Sequence, residues 1–291
     1  MVTTLTIDSV LPLVRLALQE DIADGDVTTN ALFAPEVRSN AHFLVKQAGV
    51  VCGISLPRMV IEEVAAASND AVHWQTMAND GDEVPAGMVI ATVEASARTL
   101  LQAERTALNF LQRMCGVATL TKTYVRALDG TGTRVIDTRK TIPGWRLLDK
   151  YAVQTGGGKN HRFGLFDMAL IKDNHRDAAG SLTNAIRECN HALKEHPHIF
   201  IEAETRTLAD VREVLECLAS GLKVQRIMFD NFPVPMVAEG VRLVGTQATT
   251  EASGGITLAN IREYAETGVH EISVGALTHS APALDISMKF L

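Results

Sequence analysis

The chain has 291 residues, 46% of them hydrophobic, with 27 Lys/Arg against 34 Asp/Glu for a net charge of −7. That is ample core material for one large domain or two ordinary ones. The acidic balance argues against nucleic acid, whose binders are broadly basic. The apolar runs fall far short of a membrane span, and the N-terminus lacks a basic stretch leading into an apolar run and cleavage site. A cytoplasmic protein with no membrane partner is expected. Cys52, Cys115, Cys189 and Cys217 form no CxxC or CxxH pair and read as buried thiols in a reducing compartment.

In chain order, a helix over Val10–Leu18 precedes Glu20-Asp-Ile-Ala-Asp-Gly-Asp-Val-Thr-Thr29, whose acids and hydroxyls suit caps and turns. Ala41–Lys46 and Ala71–Met77 alternate like strands. Asn79–Glu94 has the strand-turn pattern of a lipoyl or biotin carrier, but Ala71–Glu94 contains no lysine to modify, so it is read as a structural β unit. Glu104–Arg113 opens a long helix with Ala107, Leu108, Leu111 and Met114 on its apolar side. These segments predict an N-terminal α+β sandwich domain over residues 1–128.

From about residue 130 the pattern becomes rhythmic. Strand-like runs occur at Thr133–Ile136, Met168–Ile171, His198–Ile201, Arg226–Phe229, Thr249–Ala252 and Glu271–Val274. Helical periodicity lies between most of them, as in Leu182, Ala185, Ile186, Cys189 and Leu193, and in Leu208, Val211, Leu215 and Leu218. Repeated strand-helix-strand units build a parallel sheet. An α/β barrel over residues 129–291, complete or incomplete, is a more economical reading than a doubly wound open sheet. The last residues could pack back on the N-terminal domain. His196-Pro-His198 reads as a surface loop, since two histidines without further ligands make a poor metal site.

One stretch departs from the acidic background. Arg134–Arg176 holds nine Lys/Arg against four Asp/Glu, placed after apolar runs and glycines and not at helical spacing. A short cationic island in an acidic protein suits a small, dense anion in a pocket. The strand ends agree: Asp137-Thr138-Arg139-Lys140, Lys172-Asp173-Asn174, Glu202-Ala-Glu204, Asp230-Asn231, Ser253-Gly254-Gly255, and Gly275-Ala276 with His279 soon after. In α/β barrels such ends converge on one face. Ser253-Gly254-Gly255 and Gly275 suit a phosphate held by backbone amides. Glu204 and Asp230 suit a hard cation such as Mg²⁺, held directly or through water. No nucleophile triad, P-loop or Rossmann pattern is present.

Glu104-Arg-Thr-Ala-Leu-Asn-Phe, Asp137-Thr-Arg-Lys-Thr-Ile-Pro-Gly, Lys150-Tyr-Ala-Val, Gly156-Gly-Gly-Lys-Asn-His-Arg-Phe-Gly-Leu, Leu170-Ile-Lys-Asp-Asn-His, Asp230-Asn-Phe, Glu251-Ala-Ser-Gly-Gly-Ile-Thr and Ile272-Ser-Val-Gly-Ala-Leu-Thr closely resemble the quinolinate phosphoribosyltransferase family. The resemblance runs in order from about Leu11 to Leu291. It implies transfer of a phosphoribosyl group from phosphoribosyl pyrophosphate to quinolinate, giving nicotinate mononucleotide, pyrophosphate and CO₂ in NAD biosynthesis. By family match, Arg105, Arg139, His161, Arg162 and Lys172 surround the quinolinate carboxylates, beside Thr138. Lys140, Lys172, Glu204 and Asp230 serve the phosphoribosyl donor and its Mg²⁺. Ser253, Gly254, Gly255 and Gly275 hold the 5′-phosphate, with His279 on the phosphate side. The resemblance also implies a homodimer with shared sites, Arg105 completing the neighbouring subunit's. Two departures stand out: Gln154 where the family often has Arg, and Ile201-Glu-Ala-Glu-Thr-Arg206 in place of a Glu-Val-Glu-Val run. The second leaves Glu202 and Glu204 as alternatives, Glu204 being favoured by its place in the motif. A sister enzyme for another acidic ring would alter Arg139, His161 and Arg162, and a non-catalytic anion-binding barrel would lose the acidic strand ends and lysines. All are present.

Overall fold

The computed structural model describes residues 5–291. The elements, in chain order, are α1 (Ile7–Ile22), α2 (Val27–Leu32), β1 (Arg38–Val45), β2 (Gly49–Val50), α3 (Ser55–Ser68), β3 (His73–Thr76), β4 (Glu83–Val84), β5 (Val89–Ser96) and α4 (Ala97–Ala127). They continue with β6 (Arg134–Ile136), α5 (Arg146–Thr155), β7 (Met168–Ile171), α6 (Asp173–Ala179), α7 (Leu182–Ala192), β8 (Phe200–Thr205) and α8 (Leu208–Ala219). The chain ends with β9 (Arg226–Asp230), α9 (Val234–Val244), β10 (Thr249–Ser253), α10 (Ile261–Ala265), β11 (Glu271–Ser273), α11 (Ala276–His279) and β12 (Ile286–Phe290). Two compact units emerge. One runs up to Lys122 and takes in Ile142–Gly157 and Ser280–Leu291; the other holds Thr123–Thr141 and Gly158–His279.

The first unit is built on an antiparallel sheet in the order β12-β1-β5-β3. Alternation along β1 buries Ala41, Phe43 and Val45, and β5 buries Val93 opposite Ala41 and Ala91 opposite Phe43. α1 buries Val10, Val14 and Leu18, a spacing of four that keeps them on one stripe. Two helices go beyond the sequence reading. α2 forms inside the acidic stretch read as turns, because Asp26 accepts from the Thr28 and Thr29 amides at 3.0 and 2.9 Å and caps it. α3 buries Leu56, Val60, Ile61 and Val64. α4 is 31 residues long and starts well before Glu104. Gly116 on it permits a close crossing, since a Cβ there would lie 2.0 Å from the Pro282 carbonyl oxygen.

The second unit is a six-stranded parallel sheet in the order β6-β11-β10-β9-β8-β7, with amphipathic helices between most strands. Among the described residues β6 and β7 do not pair; the outer edge of β6 takes a parallel bridge from Lys159 to Ile136. Five of the strands and the segment that directly follows β6 nevertheless lend residues to a single pocket, so the sheet is rolled into a barrel with one open seam. The strand expected at His198–Ile201 lies instead at Phe200–Thr205, placing Glu202 and Glu204 inside β8 and not beyond its end. His196 and His198 are exposed in the preceding loop. All four cysteines are free thiols, three buried and Cys189 half-buried.

Candidate active site

The pocket at the C-terminal ends of the strands is lined by Thr138, Arg139 and Lys140 after β6, His161 and Arg162 in the following loop, and Leu170 and Lys172 at β7. Glu204 of β8, Met228 and Asp230 of β9, Glu251 and Ser253 of β10, and Ser273 of β11 complete it. Of the nine cations in the basic island, Arg139, Lys140, Arg162 and Lys172 reach this pocket. Of the other five, Arg134 pairs with Glu271, Arg176 pairs with Asp177 and Asp210, and Lys159 is exposed on the segment bridged to Ile136. Arg146 and Lys150 lie on α5 in the other unit, Lys150 fully buried, so that part of the island does follow helical spacing.

Local chemistry holds these side chains in place. Asp137 is buried and receives the Asn160 amide at 2.6 Å and the His161 backbone N–H at 2.9 Å, pinning the His161–Arg162 segment to the end of β6. The Thr138 hydroxyl accepts the Lys140 amide at 3.0 Å, and the Lys140 carbonyl accepts from the Thr278 hydroxyl at 2.8 Å. The Lys172 amide donates to His175 Nδ1 at 2.9 Å. Arg162 donates from Nη1 to the Met168 carbonyl at 3.0 Å. Burial first, and the neighbouring Arg139 charge second, pull the Arg162 guanidinium below its ordinary value. Two crowded guanidiniums beside a cavity ask for an anion.

The acidic side of the pocket asks for a cation. Burial, and then the Asp230 carboxylate, push Glu204 above the usual carboxylate range. The Arg206 guanidinium lies 3.7 Å from each of these acids and 2.7 Å from Asp173. Two inward-facing carboxylates are a donor set that fits a hard divalent ion. Glu202 and Glu204 share the inner face of β8 but occupy different layers. Glu204 lines the pocket, whereas Glu202 lies fully buried beneath it, 3.0 Å from His161 Nε2.

The remaining expected residues are placed as follows. Ser253 lines the pocket. Gly254 and Gly255 both have positive φ, at 96° and 63°. A Cβ on Gly254 would meet Asn231 Oδ1 at 2.1 Å, whereas Gly255 faces open space. A Cβ on Gly275 would stand 3.0 Å from Lys140 Cδ and 3.1 Å from the His279 ring, so Gly275 and His279 adjoin the pocket through Lys140. Arg105 is exposed on α4 and does not line this pocket.

Leu170, Met228, Glu251 and Ser273 were not singled out as site residues. A signal was available, because each lies two residues before one that was: Lys172, Asp230, Ser253 and Gly275. Side chains alternate along a strand with period two, so these pairs share the inner face.

Comparison with known proteins decides which family the chain belongs to. Residues 26–115 match the family model for the quinolinate phosphoribosyl transferase N-terminal domain, and residues 117–289 match that for its C-terminal domain. The chain belongs to the quinolinate phosphoribosyltransferase family. A family member from Nicotiana tabacum, "Quinolinate phosphoribosyltransferase [decarboxylating] 2a, mitochondrial", is 46% identical over 288 residues, covering 94% of this chain and 80% of the relative. The "Probable nicotinate-nucleotide pyrophosphorylase [carboxylating]" of Bacillus subtilis is 42% identical over 269 residues, covering 92% and 89%. The solved nicotinate-nucleotide pyrophosphorylase of Francisella tularensis superposes with a TM-score of 0.90 at 34% identity, covering 100% of this chain and 99% of that one. The expected α/β barrel with an N-terminal α+β domain is thus the fold of this quinolinate phosphoribosyltransferase family chain.

Proposed function

We propose that the pocket on the barrel is where this chain performs the family's reaction, the transfer of a phosphoribosyl group from phosphoribosyl pyrophosphate to quinolinate with loss of CO₂. The supporting observation is one cavity with Arg139, Arg162, Lys140 and Lys172 on one side and Glu204 and Asp230 on the other. Arg139 and Arg162 receive the two quinolinate carboxylates and orient the ring so that its nitrogen lone pair faces the anomeric carbon. The nitrogen forms the new C–N bond as the bond to pyrophosphate breaks and its electrons leave with that group. No base is needed. Lys140 and Lys172 stabilise the charge that gathers on the departing pyrophosphate. The 2-carboxylate then leaves as CO₂, its bonding electrons drawn toward the cationic ring nitrogen, and the ring carbon takes a proton. Ser253, Gly254, Gly255 and Gly275, with His279, hold the 5′-phosphate. This reading is supported by the open approach at Gly255 and the contact of Gly275 with Lys140.

Glu204 and Asp230 would hold Mg²⁺, directly or through water, and the mutual repulsion of the two acids supports this. When bound, the ion supplies positive charge beside the pyrophosphate oxygens. We further propose a homodimer in which Arg105 serves the partner's pocket. Its exposure on α4 supports this. So do Leu165 and Phe166, 72% and 75% exposed on the loop that carries Arg162. Four free cysteines support a reducing compartment, the cytoplasm. Among the described residues no helix is long and apolar enough to cross a membrane.

The test is product formation. Purified protein with quinolinate, phosphoribosyl pyrophosphate and Mg²⁺ should yield nicotinate mononucleotide and CO₂, while nicotinate, with one carboxylate, should be a poor replacement. Equal turnover of nicotinate would refute the pocket assignment.

A further inference from the structure

The layer beneath the pocket is ionic where barrels normally place branched aliphatic side chains. Glu202 of β8, Arg226 of β9, Glu251 of β10 and Glu271 of β11 meet at neighbouring register positions, with the half-exposed Arg134 of β6 at the rim. Arg226 lies 3.2 Å from Glu251, 3.6 Å from Glu202 and 2.6 Å from Glu271, and Arg134 lies 3.4 Å from Glu271. Glu202 and Glu251 are fully buried. Charges taken so far from water are costly unless every one is paired, and cutting a single member leaves the rest uncompensated.

Glu251 and His161 join this layer to the pocket. His161 Nε2 lies 3.0 Å from Glu202 and 3.4 Å from Glu251, and its Nδ1 accepts the Arg162 backbone N–H at 2.7 Å. Burial opposes charge on the ring and the two carboxylates favour it, so the bond made by the other ring nitrogen decides. The second proton would have to sit on Nδ1, where the Arg162 amide already donates. The geometry therefore selects the neutral ring with its proton on Nε2.

We propose that Glu202 and Glu251 are positioning residues for quinolinate recognition: they hold His161 by its Nε2–H, and His161 in turn holds the Arg162 backbone by Nδ1. Both ring nitrogens are then committed within the protein, and His161 acts on the substrate through Arg162. The three ligand atoms of His161, Glu202 and Glu251 lie within 4.8 Å of one another, close enough for a metal, but the Arg226 guanidinium already supplies the cation between the acids. This inference rests on the assignment of the quinolinate carboxylates to Arg139 and Arg162.

Three measurements test it. Calorimetric titration of quinolinate into Glu251→Gln, which keeps the side-chain shape, should show a dissociation constant raised about tenfold, the worth of one charge-assisted hydrogen bond. In a His161→Gln background, Glu251→Gln should add no further loss, because the effect passes through His161. In wild-type protein with ¹⁵N-labelled histidine, the His161 ring should show a protonated Nε2 and an unprotonated Nδ1. Unchanged quinolinate affinity in folded Glu251→Gln overturns the proposal, as does a fully additive loss in the double variant. A protonated Nδ1 overturns it without any variant. Arg162→Ala serves as the control: if that change leaves quinolinate affinity intact, the carboxylate assignment itself has failed.

Discussion

Removing the Arg162 guanidinium should cost quinolinate binding and leave the chemical step largely alone. Its Nη1 bond to the Met168 carbonyl fixes the fork, so the remaining N–H groups face the pocket in a set direction. A guanidinium meeting a carboxylate makes charge-assisted bonds worth roughly 1.5–3 kcal/mol each, and two per fork is the natural geometry. Part of that is returned in Arg162→Ala, because Arg139 loses the like charge that now depresses Arg162. A net loss of about 3 kcal/mol corresponds to a roughly 100-fold higher dissociation constant, since each 1.4 kcal/mol is a factor of ten. The contact exists equally before and during the reaction, so kcat at saturating quinolinate should change by less than about threefold. Calorimetry with quinolinate alone, followed by steady-state kinetics, reads both quantities. A dissociation constant within fivefold of wild type, or a kcat loss as large as the affinity loss, would refute the reasoning.

Three further outcomes are expected. Lys140→Ala should lower turnover by about 10²–10³ at saturating substrates, the usual worth of a preorganised charge acting on a leaving group, measured by nicotinate mononucleotide formation. Arg105→Ala and Lys172→Ala, each inactive alone, should recover about a quarter of wild-type activity when co-refolded, since half the dimers are mixed and each mixed dimer has one intact site; no recovery in a preparation shown to contain mixed dimers refutes sharing through Arg105. Burial works to raise Asp70, but bonds from Thr99 at 2.7 Å and the Ser96 amide at 2.8 Å, with Arg38 at 2.6 Å, outweigh it and hold the carboxyl below its ordinary value. A depressed folded pKa gives stability that is present above the unfolded value of about 3.9 and lost as pH falls through the folded one. Asp70→Asn should therefore lower the melting temperature at pH 7 and flatten the acid limb of stability below about pH 4, followed by thermal unfolding across pH.

What the sequence conveyed was periodic. The strand runs of the barrel and their polar ends are local patterns, and so Lys140, Lys172, Glu204 and Asp230 could be placed together before any coordinates. What it withheld was pairing across distance. Glu202, Arg226 and Glu251 are each unremarkable charges in a short apolar run. Only the ladder that sets β9 between β8 and β10 shows that they neutralise one another. The same holds for α5: Leu148, Ala152 and Val153 form its buried face, but the surrounding Arg146, Asp149 and Lys150 masked that stripe as part of a charge cluster. Glu202 and Glu204 were indistinguishable in sequence because a period of two points both inward, and depth in the barrel separates them.

The interleaving of the two units has a consequence for how the chain is made. β12 pairs with β1 over five positions, from Ala41 opposite Phe290 to Val45 opposite Ile286, and the Leu291 amide reaches the Asn40 carbonyl at 2.9 Å. The strand that completes the first sheet is thus translated after its three partners in that sheet and after all six barrel strands. Until β12 has been made, β1 presents an unpaired edge carrying Phe43, while the barrel has every one of its strands by Ser273. A nascent chain stalled short of β12 should hold a finished barrel and an unfinished sheet, so β1, although made before every barrel strand, is sealed against self-association after them.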